Sequence, residues 1–387
     1  MKKNIFYLGM IAIALTAASC SNDDNDPETM PEGTADVTIN ETDANYADYS
    51  DHWCSYAAAV SYLLQEDAAA LYEAWDVSFD GGEAFKETFT NPGEGKTYTS
   101  PNSCIEQIID GCIDIANEVG ESKIGDPRDK WEQGKYTEAV YAVESWYSFH
   151  SIQDYSNNIR SIQNAFNCKY GEATGSHSIA NYLLNHGETE LASNVNSRIT
   201  AAINAIEGMA APFRSHIGSP SVLTAIDACN SLKEILKTLK AKIEDFEEEE
   251  ELKAIVADYV NVVVLPTYND LKEANASLNT AVRALADQPS NANFKAAAQA
   301  WMTARQPWEM SEAFLFGPVD KLGLDPNMDS WPLDQDAIKN VLKKGDYSGL
   351  NWKDDDSDEK IEAAQNIRGF HTLEFLLFKD GQPRAIE

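Results

Sequence analysis

The stretch Arg368–Phe378, with the sequence RGFHTLEFLLF, is an apolar run close to the C-terminus. In its middle, only His371 and Glu374 have side chains that bind metals or move protons. Three residues apart on a helix, the two project from the same face, and the flanking phenylalanines and leucines would bury them. Burying ionisable groups is unfavourable unless they are paired or bind something. The spacing alone favours a buried structural pair over a functional site, because His-x-x-Glu is a short pattern with many chance matches.

Two further stretches likewise combine apolar residues with acidic or histidine side chains. One runs over residues 307–320 as PWEMSEAFLFGPVD and is followed by DSWPLD at residues 329–334. The other begins at residue 144 with ESWYSFHSIQD and runs on to Arg160. Together with Gly-x-His-x-x-Glu and the Phe-Leu-Leu-Phe that follows it, these blocks resemble the signatures of the imelysin-like proteins, the family of M75 peptidases. The resemblance covers most of the chain after residue 45.

The order of these blocks differs from the order that is usual in that family. In imelysin-like proteins the Glu-x-x-Glu-Ala-Phe block and Gly-x-His-x-x-Glu come first, and the Glu-Ser block comes in the second half. Here residues 45–246 resemble the family's second half and residues 252–387 its first half. The resemblance therefore implies a circularly permuted chain. Two packed helical bundles permit such an exchange when their ends lie close together at the surface.

Apolar residues recur at helical spacing in both halves, and extended alternating stretches are scarce. We therefore predict an all-α protein of two packed helical-bundle domains, residues 45–246 and 252–387. Five consecutive glutamates, Glu247–Glu251, lie between them and are predicted to form a solvated junction, because like charges repel one another. Residues 323–332 are predicted to form a long irregular loop, and ordered loops of this kind are often functional.

The first residues of the chain are predicted to be a targeting signal and not part of the fold. Lys2 and Lys3 precede a short apolar segment, and small residues then lead to Cys20. This arrangement resembles a lipobox, in which residues 1–19 are removed and Cys20 is lipidated. The alternative is an ordinary signal peptide with an incidental cysteine. Acyl chains anchor a protein without a spanning helix, and no later segment reaches the roughly 20 apolar residues that a spanning helix needs.

Residues 20–44 are acidic, contain proline and are poor in large apolar side chains. This composition predicts a disordered tether between the lipid and the folded body. Ser21 after the cysteine, with acidic residues following, is similar to outer-membrane and surface-exported lipoproteins of Gram-negative bacteria. We therefore expect an outer-membrane-anchored protein of the cell envelope, either on the periplasmic face or at the cell surface.

The composition excludes some partners and leaves others open. Of the 387 residues 43% are hydrophobic, which is enough for a sizeable core. The net charge of −33 argues against nucleic acid as a partner, because little in the chain would neutralise a phosphate backbone. Metal and other cationic partners remain compatible. No Cys-x-x-Cys occurs, so most cysteines after Cys20 are predicted to be buried thiols rather than a zinc cluster: Cys54, Cys104, Cys112, Cys168 and Cys229.

The candidate site residues come from the three signature blocks. The candidate metal ligands are two pairs spaced three apart, His371 with Glu374 and Glu309 with Glu312. Because the blocks belong to different predicted bundles, we expect His371 and Glu374 to lie at the interface of the bundles, facing Glu312 and the 144–160 block. Further candidate lining residues are Ser148, Ser151, Asp154, Asn158, Arg160, Trp308, Asp320, Trp331 and Asp334.

Three functions are compatible with these residues. Zinc peptidases need three protein ligands, an open position and a general base, usually from His-Glu-x-x-His, and the sequence has no such motif. Imelysin-like proteins are linked to bacterial iron uptake, and a carboxylate-rich site suits iron or another divalent metal better than a thiolate site would. The resemblance therefore implies a membrane-anchored binding protein linked to iron or haem. The alternatives are a surface interaction protein without a metal and an M75-type metallopeptidase.

Overall fold

A computed structural model describes residues 44–353 and 355–386 of the chain. The predicted signal peptide, the predicted lipidation site Cys20 and all but the last residue of the predicted tether lie outside the described residues. Within the described ranges, no helix combines the length and the apolar character that crossing a membrane requires.

The described residues are mainly helical, so the all-α prediction is confirmed. The α-helices are α1 (Ser50–Asp76), α2 (Phe85–Thr90), α3 (Pro101–Asn117), α4 (Asp126–Glu132), α5 (Tyr136–Ala142), α6 (Ser151–Asn167), α7 (Ile179–Asn185), α8 (Thr189–Glu207), α9 (Pro220–Lys242), α10 (Glu249–Tyr259), α11 (Leu265–Asp287), α12 (Asn291–Glu309), α13 (Pro318–Leu322), α14 (Leu324–Asp329), α15 (Gln335–Lys344), α16 (Asp358–Gln365) and α17 (Gly369–Leu377). Two small antiparallel hairpins pair β1 (Lys169–Tyr170) with β2 (Ala173–Thr174) and β3 (Phe378–Lys379) with β4 (Gln382–Pro383).

Short helical turns of other types connect several of these helices. Turns of 3-10 helix lie at Tyr46–Asp48, Phe213–Ser215, Ile243–Asp245, Glu312–Phe314 and Ser348–Leu350. Two π-helical segments, Glu118–Gly125 and Val260–Val264, continue α3 into α4 and α10 into α11. Such π-helical segments change the direction in which the following side chains point, and they are frequent at functional sites.

Two groups of long helices pack side by side. The first bundle comprises α1, α11, α12 and α17, and the second bundle comprises α3, α6, α8 and α9. The bundles meet where α6 packs against α12. Their buried apolar side chains form one continuous cluster, in which the five described cysteines are free and buried, as predicted. The helices form because apolar residues recur at intervals of three and four, as on the buried stripe of α1: Trp53, Ala57, Val60, Leu64, Ala68, Leu71 and Trp75.

The place of α1 differs from the prediction. This helix lies within residues 45–246, but it packs against α11 and α17, which come after residue 252. The two bundles therefore do not coincide with residues 45–246 and 252–387. The physical reason is that an apolar stripe determines that a helix is buried, whereas it does not determine which partner buries it. The circular permutation relative to the family stays a prediction.

The run Glu247–Glu251 lies at the start of α10. Glu247, Glu248, Glu249 and Glu250 are exposed, as predicted for a solvated run. The last three glutamates of the run form the first turn of the helix. Negative charge is stabilised there, because the free backbone N–H groups and the helix dipole make a helix N-terminus electropositive. The run is therefore solvated and also begins a helix.

The predicted irregular loop over residues 323–332 is partly helical. α14 occupies Leu324–Asp329 and buries Leu324, Asn327 and Met328. The prediction of an irregular segment is wrong for these residues, because a two-turn helix with one buried side leaves too short a pattern to recognise among aspartates and prolines. As a result, Asp329 lies at the end of a helix, immediately after a buried residue.

Gly369 permits the close approach of α14 to α17. Its φ of +82° lies in the left-handed region, and a Cβ at this position would collide with the carbonyl oxygen of Met328. Only glycine combines that backbone conformation with that contact. The glycine of Gly-x-His-x-x-Glu therefore allows Asp329, which follows Met328, to lie beside α17.

We expect Gly369→Ala to lower the free energy of unfolding by more than the roughly 1–2 kcal/mol that a left-handed conformation costs a residue with a side chain. The additional loss comes from the collision with Met328. Gly323→Ala is the matched control, because Gly323 has a φ of +62° but nothing within 4 Å of a Cβ. Chemical denaturation measures both variants. Equal losses would contradict a role of Gly369 in the approach of the two helices.

Candidate functional site

The candidate site lies where the two bundles meet, between α6, α12, α14 and α17. His371 and Glu374 lie on α17, and Arg305 and Glu309 lie on α12; all four are fully buried. The other polar side chains of the site are Glu144 in the loop before α6, Asp154 and Asn158 on α6, and Asp329 at the end of α14. The structure thus brings together residues from all three signature blocks.

His371 is held between three carboxylates. Its Nε2 lies 3.1 Å from Glu144 Oε1 and 3.1 Å from Asp329 Oδ1, whereas its Nδ1 lies 3.1 Å from Glu374 Oε2. The Trp331 ring meets the imidazole edge to face, with 4.9 Å between the ring centroids. Two carboxylates therefore share one side of the ring, and the third carboxylate has the opposite nitrogen to itself.

Glu374 orients the imidazole. Its Oε1 accepts hydrogen bonds from the Ser148 backbone N–H at 2.8 Å and from Ser148 Oγ at 2.7 Å, and its Oε2 faces His371 Nδ1. Because the two ring nitrogens point in different directions, the predicted ligand pair His371 and Glu374 does not converge on one point. The residues that converge with His371 are Glu144 and Asp329.

The guanidinium of Arg305 lies among the carboxylates. Nη2 is 2.8 Å from Glu144 Oε1 and 2.6 Å from Glu309 Oε1. Nη1 forms an ion pair with Asp329 Oδ1, and Nε lies 3.5 Å from Asp154 Oδ2. One buried cation therefore contacts carboxylates from α6, α12, α14 and the loop that contains Glu144.

Lys123 adds a second cation, nearly buried, from a segment that packs against α3 and α9 of the second bundle. It lies on the π-helical segment Glu118–Gly125, and its Nζ is 2.9 Å from Glu144 Oε2. Glu144 therefore binds Lys123 through one oxygen, and Arg305 and His371 through the other. The π-helical segment directs the lysine side chain into the seam between the bundles.

The surrounding cations and anions shift the pKa values of the residues that converge on His371. Burial raises the pKa of Glu144, but Lys123, His371 and Arg305 outweigh this effect and hold the pKa well below its ordinary value. Burial and Arg305 lower the pKa of His371, but Asp329 and Glu144 outweigh both and hold it well above its ordinary value. Both shifts favour a proton on His371 and a negative charge on Glu144.

Other carboxyl groups of the site shift in the opposite direction. Burial raises the pKa of Glu309 well above its ordinary value in spite of Arg305. Burial likewise raises the pKa of Glu312 well above its ordinary value in spite of Lys123. Burial also raises the pKa of Asp154. The site therefore has more carboxyl groups than its buried cations neutralise, and burial favours protons on the remainder.

Two sets of side chains have donor atoms close enough to share one metal ion. The first set is Glu144, Asp329 and His371, and the second is Glu309, Glu312 and Asp329; within each set the donor atoms lie within 4.8 Å of one another. Two carboxylates and one imidazole suit iron and other divalent first-row metals. The bond from His371 Nδ1 to Glu374 also matches the outer carboxylate that commonly orients a metal-binding histidine. The residues present therefore fit a divalent metal.

The sequence matches the imelysin family, peptidase M75, over residues 27–239 and 264–386. The chain belongs to the imelysin family. The crystal structure of an imelysin peptidase from Bacteroides ovatus is 46% identical, has a TM-score of 0.87, and is matched over 89% of this chain and 99% of that chain. Iron-regulated protein A of Synechococcus elongatus is 33% identical over 129 residues. That match covers 33% of this chain and 32% of the cyanobacterial protein, so this chain spans about a third of that relative's length.

Most of the predicted lining residues of this imelysin surround the site. Trp308 Nε1 donates a hydrogen bond to Asp329 Oδ2 at 2.7 Å, and Asn158 Nδ2 donates one to Glu309 Oε2 at 2.5 Å. Ser151 Oγ donates to the backbone carbonyl of Glu144 at 2.5 Å and so positions the loop. The other predicted lining residues at the site are Ser148, Asp154 and Trp331, whose contacts are given above.

Three predicted lining residues lie elsewhere. Asp320 is exposed, and Asp334 is exposed and caps the N-terminus of α15. Arg160 pairs with Glu207 and with Ser156 Oγ rather than with Asp154 or a site residue. These residues belong to the signature blocks in sequence, but one block spans several turns of helix, and only one face of a helix points towards the seam.

Four residues that the site depends on are not among the site residues predicted from the sequence: Lys123, Glu144, Arg305 and Asp329. Arg305 had a recognisable signal, because it lies on the buried stripe of α12 with Trp301 and Trp308. A buried arginine requires carboxylate partners. The loop that contains Glu144 had no such signal. In that loop, Ser145 and Phe149 have φ of +53° and +63°. Residues other than glycine rarely adopt this left-handed conformation, and where they do the residue is often at a functional site.

Proposed function

We propose that this protein is an outer-membrane-anchored, extracytoplasmic imelysin lipoprotein that binds a divalent metal, iron first, as a component of iron uptake. Glu144, Asp329 and His371 would bind the ion, and Glu374 would hold the imidazole in place. The observation that carries the proposal is the convergence of Glu144 Oε1 and Asp329 Oδ1 on His371 Nε2, each at 3.1 Å.

The charges of the site support a cation as the ligand. The carboxyl groups are those of Glu144, Asp154, Glu309, Glu312, Asp329 and Glu374, against the cations Lys123, Arg305 and His371. The carboxyl groups are in excess, and a divalent ion would replace protons that burial now retains. Glu309 and Glu312, which were predicted as ligands, form the neighbouring donor set that shares Asp329 with the first.

Iron is the first choice among divalent metals because of the relative named iron-regulated protein A. That protein matches only a third of this chain, so the choice of iron is part of the proposal. Haem, the other ligand considered from the sequence, is not favoured. The imidazole of His371 is enclosed by Trp331, Glu144, Asp329 and Glu374, whereas a porphyrin needs an open slot beside its ligand.

Peptidase activity is a weaker candidate for this site, although a similar structure is that of an imelysin peptidase. A peptide bond must reach the metal and a general base. His371 and Glu374 have no exposed surface, so a peptide bond does not reach them in this conformation. A function as an interaction protein without a metal would leave His371 and its carboxylates as a structural ion-pair network.

Elemental analysis of protein purified without chelators, followed by anaerobic titration with Fe(II), tests the proposal. We expect one equivalent of tightly bound iron, with Mn(II) and Zn(II) as comparison ions. The matched control is His186→Ala, because His186 Nε2 is also paired with a glutamate, Glu251, at 2.9 Å but lies at the surface. Metal-free protein that takes up no Fe(II) would refute the proposal, and cleavage of a peptide library by the loaded protein would favour the peptidase.

The affinity for a divalent metal is expected to fall as the pH drops through the pKa of His371. The metal competes with a proton for Nε2, so each pH unit below that pKa lowers the affinity about tenfold. Because Asp329 and Glu144 raise this pKa, the fall starts at a higher pH than for an ordinary histidine. Titrations with Co(II) across neutral and alkaline pH measure the slope. An affinity that does not change with pH would exclude His371 as a ligand.

The proposed membrane anchor depends on Cys20. Cys20→Ala is expected to abolish membrane association, because the acyl chains would have no attachment point and no described helix crosses a membrane. Cell fractionation with detergent partitioning measures the change, with Cys54→Ala as the control for loss of a thiol elsewhere. A Cys20→Ala variant that remains in the membrane fraction would contradict lipidation at this residue.

A further inference from the structure

We propose that Arg305 is an internal counter-cation that competes with the metal for Glu144 and Asp329. On metal binding, its guanidinium gives up these two carboxylates and keeps Asp154 and Glu309. The inference rests on the proposed function. It makes Arg305 a positioning residue that sets the affinity of the site without binding the metal.

Arg305 and His371 contact the same two carboxylate oxygen atoms. Glu144 Oε1 lies 2.8 Å from Arg305 Nη2 and 3.1 Å from His371 Nε2. Asp329 Oδ1 pairs with Arg305 Nη1 and lies 3.1 Å from the same His371 nitrogen. A metal ion bound to His371 Nε2 therefore needs the oxygens to which the guanidinium is bound.

The charge of Arg305 would repel a metal ion bound at this site. Arg305 is fully buried, and its Nη2 lies 3.4 Å from His371 Nε2, so it would face a dication across a few ångströms of protein with little screening. A guanidinium does not lose its proton in proteins. The repulsion between Arg305 and the metal must therefore be relieved by movement of the side chain or by a weaker affinity.

A second pair of carboxyl groups lies within reach of the guanidinium. Glu309 Oε1 lies 2.6 Å from Nη2, and Asp154 Oδ2 lies 3.5 Å from Nε. Neither residue belongs to the donor set that contains His371. Arg305 and Glu309 lie four residues apart on α12, so a change in side-chain torsions alone keeps them paired. Asn158 and Ser145 hold the two carboxylates in place through hydrogen bonds of 2.5 and 2.6 Å.

Before the metal arrives, Arg305 has a structural role that explains its presence in the site. Glu144 and Asp329 would repel each other in a buried environment without a cation between them. The guanidinium holds Glu144 Oε1 and Asp329 Oδ1 close together beside His371 Nε2. The affinity for the metal then reflects an exchange of one cation for another rather than the filling of an unpaired acidic cluster.

Fe(II) titrations of wild type, Arg305→Gln, Glu309→Gln and the double variant, in anaerobic buffer, test the inference. We expect Arg305→Gln to bind Fe(II) at least about tenfold more tightly than wild type, because the competing charge is gone. Glu309→Gln alone is expected to bind several-fold more weakly, because the displaced guanidinium loses a partner. In the Arg305→Gln background, Glu309→Gln is expected to have no effect; a metal-ligating Glu309 would weaken binding in both backgrounds.

The outcomes separate this inference from the proposed function. Wild-type binding with an Arg305→Gln variant that is folded but binds no more tightly would overturn the role of Arg305 and leave the metal site standing. Tight binding by Arg305→Gln alone would support the counter-cation and refute iron binding by the wild type. Absence of binding in all proteins would refute both. If Arg305→Gln does not fold, Asp154→Asn decides: weaker binding supports the inference, and unchanged binding overturns it.

Discussion

Replacing His371 with alanine is expected to lower the affinity for Fe(II) more than about 100-fold. His371 supplies the nitrogen on which Glu144 and Asp329 converge, so its loss removes a ligand. Loss of an outer partner of a metal ligand costs about 10–100-fold, and we expect that smaller range for Glu374→Gln. Isothermal titration calorimetry and elemental analysis measure both variants, and circular dichroism checks that the helices remain.

Comparing the losses of Fe(II) affinity in His371→Ala and Glu374→Gln shows which of the two residues is the metal ligand. His186→Ala, which removes an exposed histidine paired with Glu251, should leave the affinity unchanged. If Glu374→Gln weakened binding more than His371→Ala did, Glu374 would be the ligand and the assignment of roles on α17 would be wrong. Wild-type affinity in His371→Ala would leave the His-x-x-Glu motif with a structural role only.

Glu144→Ala is expected to lower the free energy of unfolding by about 3–5 kcal/mol, the range for removing one partner of a buried ion pair. Glu144 binds Lys123 through one oxygen and Arg305 and His371 through the other, so its removal takes one anionic partner from each of these three cations. Glu251→Ala is the matched control, because it removes a glutamate from a surface pair, where the loss is about 0–1 kcal/mol. Denaturation with urea in the absence of metal measures both variants.

The contribution of Glu144 to stability has a defined pH dependence. Its cationic partners hold its folded pKa well below the ordinary value, so the contribution is fully present above the unfolded pKa, about 4.3. It is lost as the pH falls towards the folded pKa. The difference in stability between wild type and Glu144→Ala should therefore shrink in acid. A difference that stayed constant down to strongly acidic pH would mean that cavity formation, and not charge, accounts for the loss.

His371 has the opposite dependence in the metal-free protein. Its folded pKa is raised, so the stabilisation by its proton is fully present below the unfolded pKa of about 6.5 and is lost as the pH rises through the folded pKa. Metal binding and proton binding at Nε2 therefore stabilise the fold over complementary pH ranges. At a pH above the folded pKa of His371, Nε2 has lost its proton and is free to bind the metal.

The helix that carries His371 and Glu374 was predictable from local sequence, and so was the burial of both side chains. Their shared face follows from a spacing of three residues on a helix, and their burial follows from the apolar residues around them. The division of roles between them was not predictable. It depends on Ser148, which lies 226 residues away in sequence and holds Glu374 through its backbone N–H and its hydroxyl.

Sequence spacing by itself determined the all-α class and the location of the signature motif on one buried helix, because both depend on a periodicity of 3.6 residues within one segment. Only the tertiary structure determined which carboxylates face His371 Nε2. Glu144 is 227 residues away in the loop before α6, and Asp329 reaches α17 because Gly369 has no side chain. A buried charge selects partners from whatever the packing brings within a few ångströms, and that choice has no signature in local sequence.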